Sequence, residues 1–314
     1  MATSLVHLTL ETVAFSGKLW ENCSWLLPCA KLDLRANRGV DDNSEGTRVT
    51  ESPTPNRHNQ VPESGLDVSE QAPSPSSRTT VHNRDSALGW ILFRTPTAGP
   101  ELDLVNEYLS EHLPTPPRGQ MLTVFLEPEI ESGFPDLVAV YWSERVASAW
   151  DMRRAQLTVN DIRVAHFLAT AGRGDAETLK HFFSSRVSAT LDRLHAAKMI
   201  RRIRGGWLTL SLSSIFAVRR LIAIEAKVTN PREGLQQAIL NTWFASESYL
   251  LLPKLPKKSD LPEVAAKFGV GVAERGLPLH RCGIRPRRQQ IPLSYASWLF
   301  NEWAWRSAYS RDEI

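Results

Sequence analysis

This chain has little of what marks several classes of protein. Its 314 residues include three cysteines, Cys23, Cys29 and Cys282, without CxxC spacing, so a disulfide framework is not expected. No apolar run reaches the roughly 18 residues of a membrane-spanning helix. The chain does not start with a basic segment followed by an apolar block, which argues against a signal peptide. We therefore expect a reducing cytoplasmic location and no membrane partner.

Net charge is also small, because 37 Lys and Arg are balanced by 34 Asp and Glu to leave +3. The positive charge is nevertheless concentrated in one segment. Residues 151–212 contain eleven Lys or Arg and five Asp or Glu, a net of +6. Such a concentration favours a nucleic acid partner for this segment.

Aromatic side chains are absent between Trp25 and Trp90. Residues 36–85 carry scattered charges, five prolines and many serines, but few large apolar side chains. A segment of this kind cannot bury enough surface to offset the entropy lost on ordering. We therefore predict that residues 1–85 form a largely disordered N-terminal region. The sequence leaves undecided whether residues 1–35 contain a short helix or strand.

From residue 86 onward, apolar periodicity predicts helices alternating with strands. The predicted strands are 120–130, 134–142, 220–228, 247–253 and 270–276, with 279–286 as a further candidate. The predicted helices outside the basic segment are 101–113, 232–245, 259–269 and 293–309. The last carries Trp298, Trp303 and Trp305, which are more often packing residues than a base-stacking platform, although their spacing does not form one stripe and leaves open whether some are exposed. The pattern predicts an α/β fold with a mixed sheet flanked by helices.

The basic segment 151–212 follows a different pattern. Three predicted helices, 158–172, 175–183 and 184–200, precede a hairpin over 201–210 that turns at Gly205 and Gly206. This order is typical of a winged helix-turn-helix module. The chain then divides into a first core segment (86–150), the inserted module (151–212), a second core segment (213–292) and a C-terminal Trp-rich helix (293–314).

The module is expected to bind DNA, or alternatively to dock onto a protein. In the first case its third helix enters the major groove and its wing contacts phosphates. The expected contacts are Arg186, Ser188, Thr190, Arg193, Arg201, Arg202 and Arg204.

Two short motifs carry the chemistry. In the stretch "RRLIAIEAKVTNPREGLQQAI" (219–239), Glu225 and Lys227 lie two residues apart on a predicted strand and so share a face. Asp136 follows Pro135 at the start of another predicted strand. If the two strands are neighbours, Asp136 meets Glu225, and two adjacent carboxylates repel each other unless a divalent cation lies between them. Hard oxygen ligands suit Mg²⁺ or Mn²⁺.

Pro135-Asp136 and Glu225-Ala226-Lys227, in this order and on strands, resemble the motifs of the PD-(D/E)XK nuclease superfamily. The resemblance extends to the acidic segment "VFLEPEIESGFPD" before the first motif, to the helix "GLQQAI" after the second, and to a following strand, helix and "GVGV" strand. It covers residues 101–142 and 219 to about 285. The 88 residues between Asp136 and Glu225 depart from the usual spacing, and the winged-helix module fills this gap.

The resemblance implies a restriction-endonuclease-like core that hydrolyses DNA with Mg²⁺ or Mn²⁺. Asp136 and Glu225 would bind the metal together with the Ala226 carbonyl, and Lys227 would position the attacking water or stabilise charge on the phosphate. Further candidate acids are Glu107, Glu127 and Glu129, and Gln236 is a candidate supporting residue. Residues 127, 129 and 131 would share one strand face, so the sequence does not choose among them.

Simpler interpretations remain beside this one. A Glu and a Lys two apart on a strand are most often a solvated ion pair, and an Asp after a Pro is often only a turn residue. The alternative function is a non-catalytic DNA-binding regulator, or a complex subunit on a nuclease-like scaffold. A restriction or phage-defence role, and assembly as a homodimer or larger complex, are hypotheses that no residue specifies.

Overall fold

The computed structural model describes residues 78–309, except 87, 89, 185, 257 and 258. The predicted disordered region, residues 1–85, lies mostly outside this range. Its last part lies inside, and there the prediction is wrong, because Thr79–His82 forms a strand. This strand pairs in parallel with residues 122–125, whose backbone supplies the hydrogen bonds that order it.

The described strands are β1 (Thr79–His82), β2 (Gln120–Leu126), β3 (Leu137–Ser143), β4 (Ile200–Ile203), β5 (Gly206–Thr209), β6 (Val218–Ala226), β7 (Glu247–Leu252) and β8 (Gly271–Glu274). Six of them form one mixed sheet in the order β1-β2-β3-β6-β7-β8. β3 runs antiparallel to β2 and β6, and the other neighbours are parallel. The candidate strand 279–286 forms only an isolated bridge, between Ile284 and Val272.

The described helices are α1 (Pro100–Glu111), α2 (Glu144–Ala147), α3 (Val159–Ala171), α4 (Ala176–Phe183), α5 (Val187–Ala196), α6 (Leu212–Ile215), α7 (Pro231–Asn241), α8 (Leu261–Phe268) and α9 (Tyr295–Tyr309). One face of the sheet packs against α1. The other packs against α9 at β2 and β3, and against α7 and α8 at β7 and β8. Burial of both faces explains the nearly continuous apolar sequences of the central strands. The α/β class and the mixed sheet flanked by helices are thus confirmed.

α9 lies inside the protein. Trp298, Trp303 and Trp305 are all buried, so they are packing residues and none of the three is exposed. The helix also carries Glu302, whose Oε1 lies 2.7 Å from Nη2 of Arg154 in a fully buried ion pair. A helix surrounded by protein needs no single apolar stripe, which is why its sequence showed none. Within the described part of the chain, no helix combines the length and hydrophobicity that a membrane span requires.

Three helices, α3 to α5, and the hairpin β4–β5 follow one another between β3 and β6. Asp175 caps α4 by accepting a hydrogen bond from the Thr178 N–H. The hairpin turns where predicted, with Gly205 at φ +84°, a conformation that favours glycine. At Gly206 an added Cβ would lie 2.4 Å from the Gly174 carbonyl oxygen, so only glycine lets the hairpin approach the loop after α3.

Candidate active site

The strands that carry the two predicted motifs are neighbours. Leu137 of β3 lies opposite Ile224 of β6, so Asp136, directly before β3, lies beside Glu225. Oδ2 of Asp136 accepts a hydrogen bond of 2.7 Å from the Ala226 N–H. The predicted meeting of Asp136 and Glu225 is therefore found, although β3 begins at Leu137 and not at residue 134. Ala226 contacts the site through its N–H, and the use of its carbonyl as a ligand stays a prediction.

Glu225 is almost completely buried, with 4% of its surface exposed. Its Oε1 accepts a hydrogen bond of 2.6 Å from Nδ2 of Asn241 on α7. Burial and then the adjacent charge of Asp136 raise the pKa of Glu225 well above its ordinary value. Burial also raises the pKa of Asp136 to about 6, against the hydrogen bond from Ala226, which lowers it. Two desolvated carboxylates thus lie side by side, short of positive charge.

Lys227, directly after β6, completes what we call the acidic centre, Asp136, Glu225 and Lys227. Its side chain is 17% exposed, and its Nζ lies 3.3 Å from Oε2 of Glu101. The positive charge of Lys227 opposes the rise that burial causes in the pKa of both acids, so it lies close to them. Gly234 on α7 makes room for it, because a Cβ there would lie 2.3 Å from Lys227 Cγ.

The donor set of the acidic centre fits a divalent cation. Among the described residues, no hydrogen bond is donated to Oδ1 of Asp136 or Oε2 of Glu225, so each acid keeps one oxygen available. In the described parts of residues 78–309, no group of three or more His, Cys, Asp or Glu side chains is placed to hold a metal ion, so the two acids are the only such ligands the site offers. Mg²⁺ usually takes only one or two carboxylates and keeps several waters. The pair therefore fits Mg²⁺ or Mn²⁺ with water in the remaining positions.

The helix α1, which precedes β2, supplies an acid near the acidic centre, but this acid is Glu101 and not the predicted Glu107. Glu101, in the first turn of α1, approaches Lys227 and also accepts a hydrogen bond of 3.4 Å from the Val228 N–H. Glu107 lies six residues further on, about 9 Å along the helix axis. It pairs with Arg275, whose hydrogen bond lowers the pKa of Glu107. The expectation that Glu107 joins the metal site is therefore wrong in this structure, and Glu101 was missed.

Of the two other candidate acids, Glu127 lies beside the acidic centre and Glu129 does not. Glu127 is 8% exposed and forms an ion pair with Arg94, a residue that the sequence analysis did not single out. Glu129 is exposed. The expected shared face of residues 127, 129 and 131 does not form, because β2 ends at Leu126 and Glu127 adopts φ +52°. This bend turns Glu127 toward Asp136, whose carbonyl accepts its N–H at 3.1 Å.

The supporting residues on α7 also differ from the prediction. Gln236 is exposed, whereas its neighbour Gln237 has a buried Oε1 without a hydrogen-bond partner in the described structure. Gln237 lies three residues after Gly234 and four before Asn241, so all three share one helix face. Since Gly234 contacts Lys227 and Asn241 contacts Glu225, this face lies over the acidic centre. The "GLQQAI" helix was recognised, but its rotation about its own axis was not.

The predicted DNA contacts fall into two groups. Those exposed and without an ion pair in the described structure are Arg186, Ser188, Arg201, Arg202 and Arg204. Thr190 is buried, so its predicted outward orientation is wrong. Arg193 donates two hydrogen bonds, of 2.9 and 2.6 Å, to the buried carboxylate of Asp161 on α3. Arg193 therefore ties α5 to α3, which reduces its freedom to reach a base.

Comparison with protein-family models, with curated proteins and with solved structures found no match to this chain. Function is therefore argued from the geometry of the acidic centre, from the exposed arginines and from the motif resemblance.

Proposed function

We propose that this chain is a metal-dependent nuclease that hydrolyses phosphodiester bonds of DNA. The observation that carries the proposal is the meeting of Asp136 and Glu225, two carboxylates with raised pKa values, beside Lys227. Titratable groups perturbed by burial and by a like charge are a feature of catalytic sites. A scaffold without catalytic function gains nothing from such a pair, because desolvated carboxylates cost stability.

The order of elements supports a restriction-endonuclease-like core. α1, β2, β3, β6, α7 and β7 follow the order of helix, strand pair, lysine-bearing strand, glutamine-bearing helix and strand that the resemblance implies. The three helices and hairpin between β3 and β6 support the inserted winged-helix module.

In this proposal Asp136 and Glu225 hold Mg²⁺ or Mn²⁺, with the Ala226 carbonyl as a further candidate ligand. The bound metal would act as a Lewis acid on the phosphate and would lower the pKa of an attacking water. Lys227, held by Glu101, places an ammonium where negative charge develops on the phosphate. Hydrolysis joins the water oxygen to phosphorus, breaks one backbone P–O bond and returns a proton to the leaving oxygen.

DNA affinity comes from the module in this proposal. Arg201, Arg202 and Arg204 on the wing are exposed and have no ion pair in the described structure, so their charge is available to phosphates. The same observation also favours the second candidate function, a DNA-binding regulator without catalysis. The two candidates differ in whether the acidic centre matters for what happens to bound DNA.

Cleavage assays test the proposal directly. Supercoiled plasmid, linear duplex, single-stranded DNA and RNA are incubated with Mg²⁺, Mn²⁺ or EDTA. We expect wild-type protein to cut DNA with either metal and not with EDTA. Asp136→Asn, Glu225→Gln and Lys227→Ala should each lower the rate by about 10³-fold or more, roughly 4 kcal/mol of transition-state stabilisation.

The control is Glu263→Gln, which removes an exposed carboxylate on α8, outside the acidic centre. It should cut at the wild-type rate. All variants should bind duplex DNA with similar affinity, because most of the affinity is expected to come from the exposed arginines of the module. Binding without any cutting by wild-type protein would favour the regulator, and undiminished cutting by Glu225→Gln would move the catalytic centre elsewhere.

A further inference from the structure

Arg94 is attached by its backbone to the acidic centre. Its N–H donates to the Glu127 carbonyl at 3.0 Å, and the Glu127 N–H donates to the Asp136 carbonyl at 3.1 Å. The neighbouring residues Phe93 and Pro128 form a further β-bridge. These backbone contacts hold Arg94 next to Asp136, although Arg94 lies in a loop.

The guanidinium of Arg94 lies among three carboxylates. It forms an ion pair with Glu127, and its Nη2 lies 3.7 Å from Oδ1 of Asp136, beyond hydrogen-bond distance. Burial raises the pKa values of Glu127, Asp136 and Glu225, and the charge of Arg94 opposes each of these rises. The charge of Arg94 thus acts on all three of these acids.

Arg94 nevertheless keeps hydrogen-bonding capacity. A guanidinium has five N–H donors. Glu127 accepts from Nε and pairs with Nη2, so about three donors remain, on Nη1 and Nη2. The side chain is 49% exposed, so protein does not enclose the guanidinium, although its Cζ lies 5.3 Å from the centroid of the Phe134 ring. Arg154, by contrast, is 1% exposed and uses its donors on Glu302 and the Ile215 carbonyl.

We infer that Arg94 contacts the scissile phosphate of the DNA and that Glu127 is the positioning residue that orients it. Free guanidinium donors beside the acids of a phosphodiester-cleaving site match a non-bridging phosphate oxygen in charge and geometry. Such a contact strengthens as negative charge grows on the phosphate during attack. The inference rests on the proposed nuclease function, and it adds a residue that neither strand motif contains.

A structural role for the Arg94–Glu127 pair makes different predictions. If Arg94 only neutralised Glu127, its loss would weaken folding, and activity would follow stability. If it served only to shape the metal site, its loss would change metal affinity in the same direction as the rate. If Arg94 contacts the phosphate, its loss lowers the cleavage rate. Metal binding is then no weaker than in wild type, because the loss removes a positive charge that competes with the metal ion.

The experiment compares Arg94→Ala and Arg94→Lys with the control Arg163→Ala. Arg163 on α3 pairs with exposed Glu131, and its side chain is 42% exposed, so the control removes a similar surface ion pair outside the site. Four quantities are measured: the cleavage rate on duplex DNA with Mg²⁺, calorimetric Mn²⁺ affinity without DNA, the melting temperature, and duplex affinity in Ca²⁺.

We expect Arg94→Ala to lower the maximal cleavage rate by about 10²-fold, the usual loss when one preorganised donor is removed. Arg94→Lys should recover part of the rate, because it restores the charge without the fork of donors. Mn²⁺ should bind Arg94→Ala as tightly as wild type or more tightly. Glu127→Gln, which weakens the orientation of Arg94, should lower the rate by roughly tenfold. Arg163→Ala should match wild type throughout.

A wild-type rate in Arg94→Ala would overturn the inference while leaving the proposed function intact. A rate loss accompanied by an equal loss of Mn²⁺ affinity would also overturn it, in favour of a role in the metal site. If wild-type protein cuts no nucleic acid with any metal while binding Mn²⁺ normally, the proposed function fails first, and the inference fails with it.

Discussion

Two of the clusters of buried charge in the described part of this protein are built in opposite ways. In the first, Arg154 and Glu302 form a bidentate pair with 1% of each side chain exposed, and Asn301 donates a further hydrogen bond of 3.0 Å to Glu302. Arg306 donates to the carbonyls of Arg154 and Leu157 nearby. The charges of Arg154 and Glu302 thus compensate each other inside the fold.

In the second cluster, the acidic centre, Asp136 and Glu225 face each other and burial raises the pKa of both. Two cations are shared among four acids there: Lys227 pairs with Glu101, and Arg94 pairs with Glu127 while its Nη2 lies 3.7 Å from Oδ1 of Asp136. The difference teaches how to separate structure from function in one chain. A compensated buried pair joins elements, whereas a pair of like charges that is only partly compensated is retained at a cost in stability, which is typical of sites that bind a ligand.

The largest effect is expected from a variant that breaks the compensated pair of Arg154 and Glu302. Glu302→Gln leaves the Arg154 guanidinium buried without its counter-charge, so we expect a loss of about 3 to 5 kcal/mol in the free energy of unfolding. Urea denaturation measures it. The double variant Arg154→Met/Glu302→Leu removes both charges and should recover much of the loss. A single variant as stable as wild type would show that the two clusters do not differ as described.

The second expected effect is an increase in the free energy of unfolding. Asp136→Asn should stabilise the protein at neutral pH, because it removes a desolvated charge while its side-chain oxygen still accepts from the Ala226 N–H. The folded pKa of Asp136, about 6, exceeds the ordinary value of 3.8. The folded state therefore holds the proton more tightly than the unfolded state, and wild-type stability falls as pH rises through this window.

The gain of Asp136→Asn over wild type should be near zero at about pH 3.8, grow with pH and level off above about pH 6. Its upper bound is about 3 kcal/mol, from 1.36 kcal/mol per pKa unit. Denaturation of both proteins across this range measures it. A gain that shrinks with rising pH would mean that the carboxylate of Asp136 is stabilised in the fold.

The smallest effect on stability is expected at the exposed arginines. A surface charge contributes about 1 kcal/mol or less to the free energy of unfolding. Changing Arg201, Arg202 and Arg204 to Ala should lower the slope of log affinity against log salt by roughly 2.7, at about 0.9 per phosphate contact. Arg193→Ala should instead lower the melting temperature and leave the slope unchanged, because Arg193 is paired with Asp161. Titrations of duplex DNA at several salt concentrations measure both slopes. An unchanged slope in the triple variant would indicate that the module docks onto protein.

Much of the site was predictable because it depends on local order. A proline-aspartate at the start of one apolar strand and a glutamate inside another required only that the strands be neighbours, and strand alternation then set which face Glu225 occupies. Caps and turns were predictable for the same reason, since Asp175 and Gly205 act within a few residues of their own positions.

Side chains that reach the site from other elements were not predictable. Glu101 and not Glu107 contacts Lys227, because the N-terminal end of α1 is the end that approaches this lysine. Asn241 and Gln237 and not Gln236 face the acidic centre, because the rotation of α7 about its axis turns them toward it. A periodic pattern shows which face of a helix is apolar, but not which polar residue at its margin meets a distant strand.

The sequence by itself determined the α/β class, the strand that follows Asp136, the strand that carries Glu225, and the basic hairpin with its turn, because each follows from residue type and short-range spacing. Only the tertiary structure decided that Thr79–His82 joins the sheet, that the tryptophans of α9 are all buried, and that Arg94 lies beside Asp136. These outcomes depend on contacts between residues far apart in the chain. Burial, bends such as that at Glu127 and the packing angle of each helix arise only when all the elements are assembled.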